Sequence, residues 1–200
     1  MQKFVGFYNS PLGAMVLYSD GVNLTGLYFE TSVNLHNMGV DSSKLHLDSS
    51  TDSRKDSHFG KSKCTNLADL PIFTQTKEWL DLYFNGKIPR FTPPIAFPKD
   101  SSRFALRVWE ILLEIPYGAT MTYGDIAKQV AREFGIDKMS AQAVGGAVSR
   151  NPISIIVPCH RVLGANLNIK GYAGGIDKKL ALLQIEGNDI KCFKMPKNKI

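Results

Sequence analysis

The sequence predicts an α+β protein of mixed α/β content, a small antiparallel sheet followed by a largely helical second half. Three observations carry this. Residues 3–30 are short runs of Val, Tyr, Phe and Leu separated by turn residues, residues from Leu67 onward repeat their apolar positions at helical spacing, and 44% apolar content over 200 residues suffices for a real core.

The elements can be justified in order. FVGFY, AMVLYS and LTGLYFE read as strands, and the Pro-Leu-Gly and Asp-Gly breaks between them make an antiparallel meander. The stretch 31–66 is rich in Ser, Asp and Lys and poor in large apolar residues, which predicts a long mobile insertion. It carries His36, His46, His58 and Cys64, but their spacings match no metal-ligand pattern, so no metal is expected. Ile72, Thr76, Trp79, Leu80 and Tyr83 then recur as one face of a helix that Asn85-Gly86 stops. FTPPIAFP, at 91–98, is extended and marks the passage from a first domain, 1–98, to a second, 99–200.

In the second domain Phe104, Val108, Ile111, Leu112 and Ile115 line one face of a helix that Pro116 and Gly118 end. Tyr123, Ile126, Ala127 and Val130 form the inner face of the next. Ser140 is placed to cap a further helix, AQAVGGAVSR, whose Ala141, Ala143, Gly145, Gly146 and Ala147 leave it nearly bare. Interior glycine costs about 1 kcal/mol against alanine, so something must approach this helix closely, either another protein element or a nucleic-acid groove. Ile153 to Val157 reads as a buried strand that presents Pro158-Cys159-His160-Arg161 at its end.

Composition narrows the function. No stretch approaches the roughly 18 to 20 apolar residues of a membrane span, and the N-terminus has no secretory pattern, so the chain reads as a soluble intracellular protein. Cys64, Cys159 and Cys192 are odd in number and widely spaced, which excludes a disulfide framework and a cysteine-rich zinc module. The net charge of +6 is uneven: residues 1–99 hold 10 basic and 9 acidic side chains, residues 100–200 hold 14 and 9. A basic excess in the second half suits phosphate binding.

A lone cysteine after an apolar run is more often a small core residue than a nucleophile. Adjacent His160 weighs against that here, because an imidazole can take the thiol proton and a carboxylate behind it can fix its tautomer. Neighbouring side chains on extended backbone point apart, so a bridging water would be needed between Cys159 and His160.

Pro158-Cys159-His160-Arg161-Val162, preceded by Asn151-Pro152 and AVGGAV, resembles the signature of the O6-alkylguanine-DNA alkyltransferases, or methylated-DNA-protein-cysteine methyltransferases. The match runs from about Arg107 to Gly187 through MTYGDIA, GYAGG and DKKLALLQIEG. The resemblance implies a ribonuclease-H-like N-terminal domain and a helical C-terminal domain with a helix-turn-helix of winged-helix type. It implies stoichiometric, irreversible transfer of an alkyl group from O6-alkylguanine in double-stranded DNA to Cys159, with the base flipped out of the stack and no cofactor. His160 and Glu186 match the pair that activates the acceptor through a water. Asn151 matches the asparagine that braces the turn before the active-site strand. Tyr123 matches the tyrosine that meets the guanine ring nitrogen, Val162 and Tyr172 a backbone contact and wall of the pocket. Ala141, Gln142, Ala143, Gly145, Gly146, Tyr123 and Arg150 fall where the family meets DNA, its recognition helix lying in the minor groove.

Two positions depart from the pattern: Gln142 replaces an arginine that fills the space of the flipped base, and Ala173 replaces a pocket serine. The resemblance also implies a monomer acting in the cytoplasm, or the nucleus of a eukaryote. The rival readings are a non-catalytic sensor of alkylated bases, an alkylation-responsive regulator and a cysteine hydrolase. The intact Cys159 argues against the first, the lack of a sensor motif in 1–99 against the second, and a hydrolase would turn over repeatedly.

Overall fold

The computed structural model describes residues 4–32 and 70–195. The predicted insertion lies almost wholly outside the described residues, as do its histidines and Cys64. Strands β1 (Phe4–Ser10), β2 (Gly13–Ser19) and β3 (Leu24–Phe29) form the expected antiparallel meander in the order β1-β2-β3. The first turn closes at Ser10 opposite Gly13, and in the second the Asp20 carboxylate accepts the amides of Val22 and Asn23 at 2.9 and 2.7 Å.

Helix α1 (Pro71–Phe84) packs on this sheet through Ile72, Phe73, Thr76, Trp79, Leu80 and Tyr83. It begins at Pro71, whose fixed φ suits a first helical position, and Gly86 ends it in the left-handed region. Thr76 satisfies its hydroxyl on the Ile72 carbonyl at 2.7 Å, which lets a polar residue sit on the buried face.

The outer edge of β3 is covered by two later segments. Leu24 pairs with the proline-rich stretch through Pro94 and Ala96, and Leu27 exchanges hydrogen bonds with Pro152 and Ser154 at 2.9 and 2.8 Å. An edge that would otherwise be open to another chain therefore holds the loop that leads to Cys159.

Helices α2 (Arg103–Glu114), α3 (Tyr123–Phe134) and α4 (Ala141–Ser149) pack on one another. Ser102, Thr122 and Ser140 each cap the helix that follows, and Gly135 ends α3 in the left-handed conformation (φ 65°). The Trp109 indole donates to the Ala147 carbonyl at 2.9 Å and fixes α4 against α2. Two short parallel strands, β4 (Met121–Thr122) and β5 (Val162–Leu163), precede helix α5 (Ile176–Ile185). One hydrophobic cluster runs from Met15 and Leu27 through Leu80, Trp109 and Val144 to Leu182, so the sheet and the helices share a core. No helix among the described residues is long and apolar enough to cross a membrane.

The expected strand at Ile153–Val157 is not one. After its single bridge to Leu27 the chain turns back on itself, with Val157 donating to the Ile153 carbonyl at 3.0 Å and Ile155 in the left-handed region (φ 69°). Four apolar residues, interrupted only by Ser154, are buried here by a coil, which periodicity alone does not separate from a buried strand.

Helix α4 packs through Val144, Ala147 and Val148, leaving Ala141, Gln142 and Ala143 exposed. Its glycines are not demanded by the protein: a Cβ at Gly145 would lie 3.9 Å from the Tyr123 ring, and one at Gly146 3.6 Å from the Arg150 guanidinium, both ordinary contacts. Gly146→Ala is therefore expected to stabilise the fold by about 0.5–1 kcal/mol, raising the thermal midpoint by roughly 2–4 °C in a calorimetric melt. An unchanged or lower midpoint would show that the glycine serves the fold itself.

Candidate active site

The loop after α4 is organised by one side chain. Asn151 accepts the Ile153 amide at 3.0 Å and donates to the Val157 carbonyl at 2.7 Å, closing the turn from inside while Leu27 clamps it from outside. These bonds hold Ile155, a β-branched residue, in a conformation that costs on the order of 1–3 kcal/mol. The loop delivers Cys159 not to a strand end but to the first position of a one-turn 3-10 helix, Cys159–Arg161.

That turn decides the geometry. Cys159 is 7% exposed and opens on a cleft of about 900 Å³, while His160 points into the core and is fully buried. The His160 Nε2 lies 2.8 Å from Glu186 Oε1, and Nδ1 has no hydrogen-bond partner among the described residues. A carboxylate oxygen can only accept from a ring nitrogen, so Nε2 carries the proton and Nδ1 is the basic atom.

Glu186, the last residue after α5, is buried among five donors. Its Oε1 accepts from Tyr83 Oη (2.8 Å), His160 Nε2 and Arg161 Nη2 (2.9 Å), and its Oε2 from Arg161 Nε (2.9 Å) and the Gly118 amide (3.2 Å). Arg161 also donates to the Ile115 carbonyl. The bidentate guanidinium compensates a charge that would otherwise be untenable in the core.

These surroundings set the protonation states. Burial alone would push the Glu186 carboxyl up, but the hydrogen bonds and charges of His160 and Arg161 outweigh it and hold the group down to about 2. Burial lowers the His160 imidazole, opposed by Glu186, and raises the Cys159 thiol, opposed by the Asn151 amide and the Lys179 charge. The resting pair is thus a thiol beside a neutral imidazole with a free Nδ1. Such a site suits removal of the thiol proton during attack rather than storage of a thiolate.

Lys179 is fully buried on the inner face of α5, donating to the Val162 carbonyl at 2.6 Å, and burial brings its ammonium down to about 8. Tyr123 and Tyr172 stay protonated: burial raises both, and ionisation of Cys159 adds to it.

Tyr123, Ala141, Gln142, Gly145, Asn151, Cys159, Tyr172 and Ala173 all line the cleft, so the structure brings most of the expected residues together. His160 and Glu186 do not line the cleft, and no hydrogen bond joins the Cys159 thiol to the His160 ring among the described residues. Val162 is fully buried, and its carbonyl is already engaged by Lys179. Ala143 and Gly146 lie outside the lining, and Arg150 is exposed at the end of α4 with its guanidinium over Gly146.

Three participants went unassigned in the sequence. Arg161 sat inside the quoted motif without a role, and Tyr83 was read as one more apolar-face residue of α1. Lys179 could have been found, since it shares a helix face with Leu182 and Leu183, where a cation is out of place. Groups of three or more His, Cys, Asp or Glu that could hold a metal are absent among the described residues.

A carboxyl held below its ordinary value stabilises the fold above that value and loses the contribution as pH falls toward the folded one. Glu186 is thus expected to contribute about 3 kcal/mol at neutral pH, fading between about 4.5 and 2. In urea unfolding, Glu186→Gln should cost a constant amount from pH 7 to 5, with the gap from wild type narrowing below 4.5. A gap independent of pH would show that the residue acts by shape alone.

Two family models cover the chain: the ribonuclease-like domain of 6-O-methylguanine DNA methyltransferase at residues 3–97 and its DNA-binding domain at 103–188. The methylated-DNA–protein-cysteine methyltransferase of Mycobacterium leprae is 42% identical over 182 residues, 91% of either chain. That of Haemophilus influenzae is 32% identical over 180 residues, 90% of this chain and 84% of the relative. Among solved structures, the Mycobacterium tuberculosis O6-methylguanine methyltransferase superposes with a TM-score of 0.64 at 33% identity, covering 92% of this chain and 93% of that one. The Mycobacterium tuberculosis protein solved in complex with DNA superposes at 0.65 with the same identity and coverage. The chain belongs to the methylated-DNA–protein-cysteine methyltransferase family.

Proposed function

We propose that this protein repairs DNA by direct reversal, moving the alkyl group of an O6-alkylguanine onto Cys159 once and irreversibly. The observation that carries the reading is the Cys159 thiol lining an open cleft, in the same turn as a His160 whose Nε2 is held by Glu186 and whose Nδ1 is left free.

The chemistry balances without a cofactor. Cys159 Sγ forms a bond to the alkyl carbon as the bond from that carbon to O6 breaks, and the electron pair of that bond stays with the guanine. His160 Nδ1 takes the thiol proton, directly or through water, and Glu186 stabilises the imidazolium. Tyr123, kept protonated by its surroundings, donates its proton to the ring nitrogen where negative charge grows and recovers one from solvent, while the imidazolium returns its proton to solvent, so one proton leaves the thiol and one arrives on the departing guanine. The product is a thioether, which water does not cleave under cellular conditions, so each molecule acts once.

The base reaches the thiol by leaving the duplex, at a cost of a few kcal/mol that weakened pairing of the lesion lowers. Ala141, Gln142 and Gly145 at the rim, with Ala143 and Gly146 beside them, present a thin surface to the minor groove. Arg150 and the basic second half meet the phosphates. Tyr172 and Ala173 form the wall opposite. Residues 1–98 and 99–200 are proposed as the two units, acting together as a monomer in the cytoplasm, or in the nucleus where there is one.

After incubation with excess methylated duplex, intact mass should rise by a single methyl group that peptide mapping places on Cys159. Cys159→Ala should bind the same DNA and gain nothing. Continued release of unmodified guanine beyond one equivalent, or a methyl group on Cys64 or Cys192, contradicts the reading.

Gln142 is exposed at the start of α4, and its amide can bond the orphaned cytosine but lacks the charge and planar stacking surface of arginine. Gln142→Arg should therefore speed alkylation by duplex by roughly tenfold, the effect of about 1.4 kcal/mol, and Gln142→Ala should slow it. Neither should change the rate with free O6-methylguanine base, where no flipping occurs. Equal effects on both substrates in a second-order rate assay would place Gln142 in the base pocket instead.

A further inference from the structure

Tyr83 belongs to α1, in the half of the chain whose described residues contribute no other hydrogen bond to Glu186 or His160. It is fully buried, and its hydroxyl donates to Glu186 Oε1 at 2.8 Å while lying 3.3 Å from His160 Nε2. Its ring stacks on Trp79 at 5.4 Å between centroids and meets Tyr117 edge-on at 6.0 Å. A tyrosine placed only for packing has no need to deliver its hydroxyl to the same carboxylate oxygen that holds the imidazole.

Building on the direct-reversal reading, we propose that Tyr83 is a positioning residue of the alkyl-transfer relay, by which the N-terminal half sets how strongly Glu186 holds His160. Oε1 divides its charge among Tyr83, His160 and Arg161, so each donor weakens the hold on the others. With the Tyr83 hydroxyl in place, Glu186 orients the ring and fixes its tautomer without making the imidazolium so stable that it persists at rest.

The groups facing His160 are few and come from every side. Among the described residues Lys179 reaches it from α5 and Glu186 from the position after that helix, Arg161 from its own turn, and Tyr83 from α1, with Tyr117 beyond. Only Glu186 raises the proton affinity of His160, while Arg161 and Lys179 lower it along with burial. Removing the Tyr83 donor leaves more of the Oε1 charge to His160, so the imidazole becomes easier to protonate. The acceptor thiol then loses its base at a higher pH than in the wild type.

The experiment follows the nitrogen-15 signals of the His160 ring through pH, identified by their loss in His160→Gln, together with the rate of Cys159 alkylation by free O6-methylguanine base. In the wild type the ring should titrate below the ordinary histidine value with the proton on Nε2. In Tyr83→Phe the midpoint should rise, and the alkylation rate should fall by roughly tenfold on the acid side, recovering as pH increases. Trp79→Leu loosens the same helix without touching the hydroxyl, and should lower the melting temperature while leaving the midpoint where the wild type has it. If Tyr83→Phe lowers the melting temperature but leaves both the midpoint and the acid limb unmoved, or if Trp79→Leu shifts them equally, Tyr83 only packs and the proposal is wrong. The ring titration is read without any substrate. A wild type that never gains an alkyl group therefore overturns the repair reading, and the titration still decides the role of Tyr83.

Discussion

The buried carboxylate of Glu186 is the constraint on which the rest of this structure turns. A carboxylate in a core is tolerable only when its charge is matched and its lone pairs are filled, and here the partners arrive from separate parts of the chain. Tyr83 comes from the helix that packs on the sheet, Gly118 from the turn after α2, and His160 and Arg161 from the turn that carries Cys159. Satisfying one charge therefore draws these segments together. The result is a histidine with one nitrogen committed and the other free, in the same turn as the thiol.

Around this hub the scaffold is rigid where chemistry needs it and thin where DNA must come close. Asn151 and Leu27 hold the acceptor loop in a shape its own backbone would not prefer, and Lys179 adds a buried cation on the side of the thiol. Helix α4, by contrast, gives up helical propensity at Gly145 and Gly146 although nothing among the described residues presses on them. A local rule broken without an internal reason points outward, to a partner.

Much of this was legible in the residues. The meander, four of the helices and the Ser140 cap follow from apolar periodicity and turn chemistry, and the pairing of His160 with Glu186 was expected from the motif shared with the family. What was not legible depended on contacts distant in sequence. The apolar run from Ile153 to Val157, broken only by Ser154, looks like a strand, and the Asn151 bonds and the clamp from Leu27 make it a coil. Tyr83 on an apolar helix face looks like packing, because the carboxylate it meets lies 103 positions away. The side-by-side pair Cys159-His160 raised the difficulty that neighbours on extended backbone diverge. The 3-10 turn changes its terms by sending the thiol to the cleft and the imidazole to the core.

The most direct test of the central claim is a crystal structure of Cys159→Ser bound to a duplex containing O6-methylguanine. The account predicts the methylated base outside the stack and inside the cleft, its methyl carbon facing the residue 159 side chain, the Tyr123 hydroxyl on the guanine ring and α4 against the minor groove. A base that stays stacked, or one that enters the cleft with its methyl group turned away from residue 159, would contradict it.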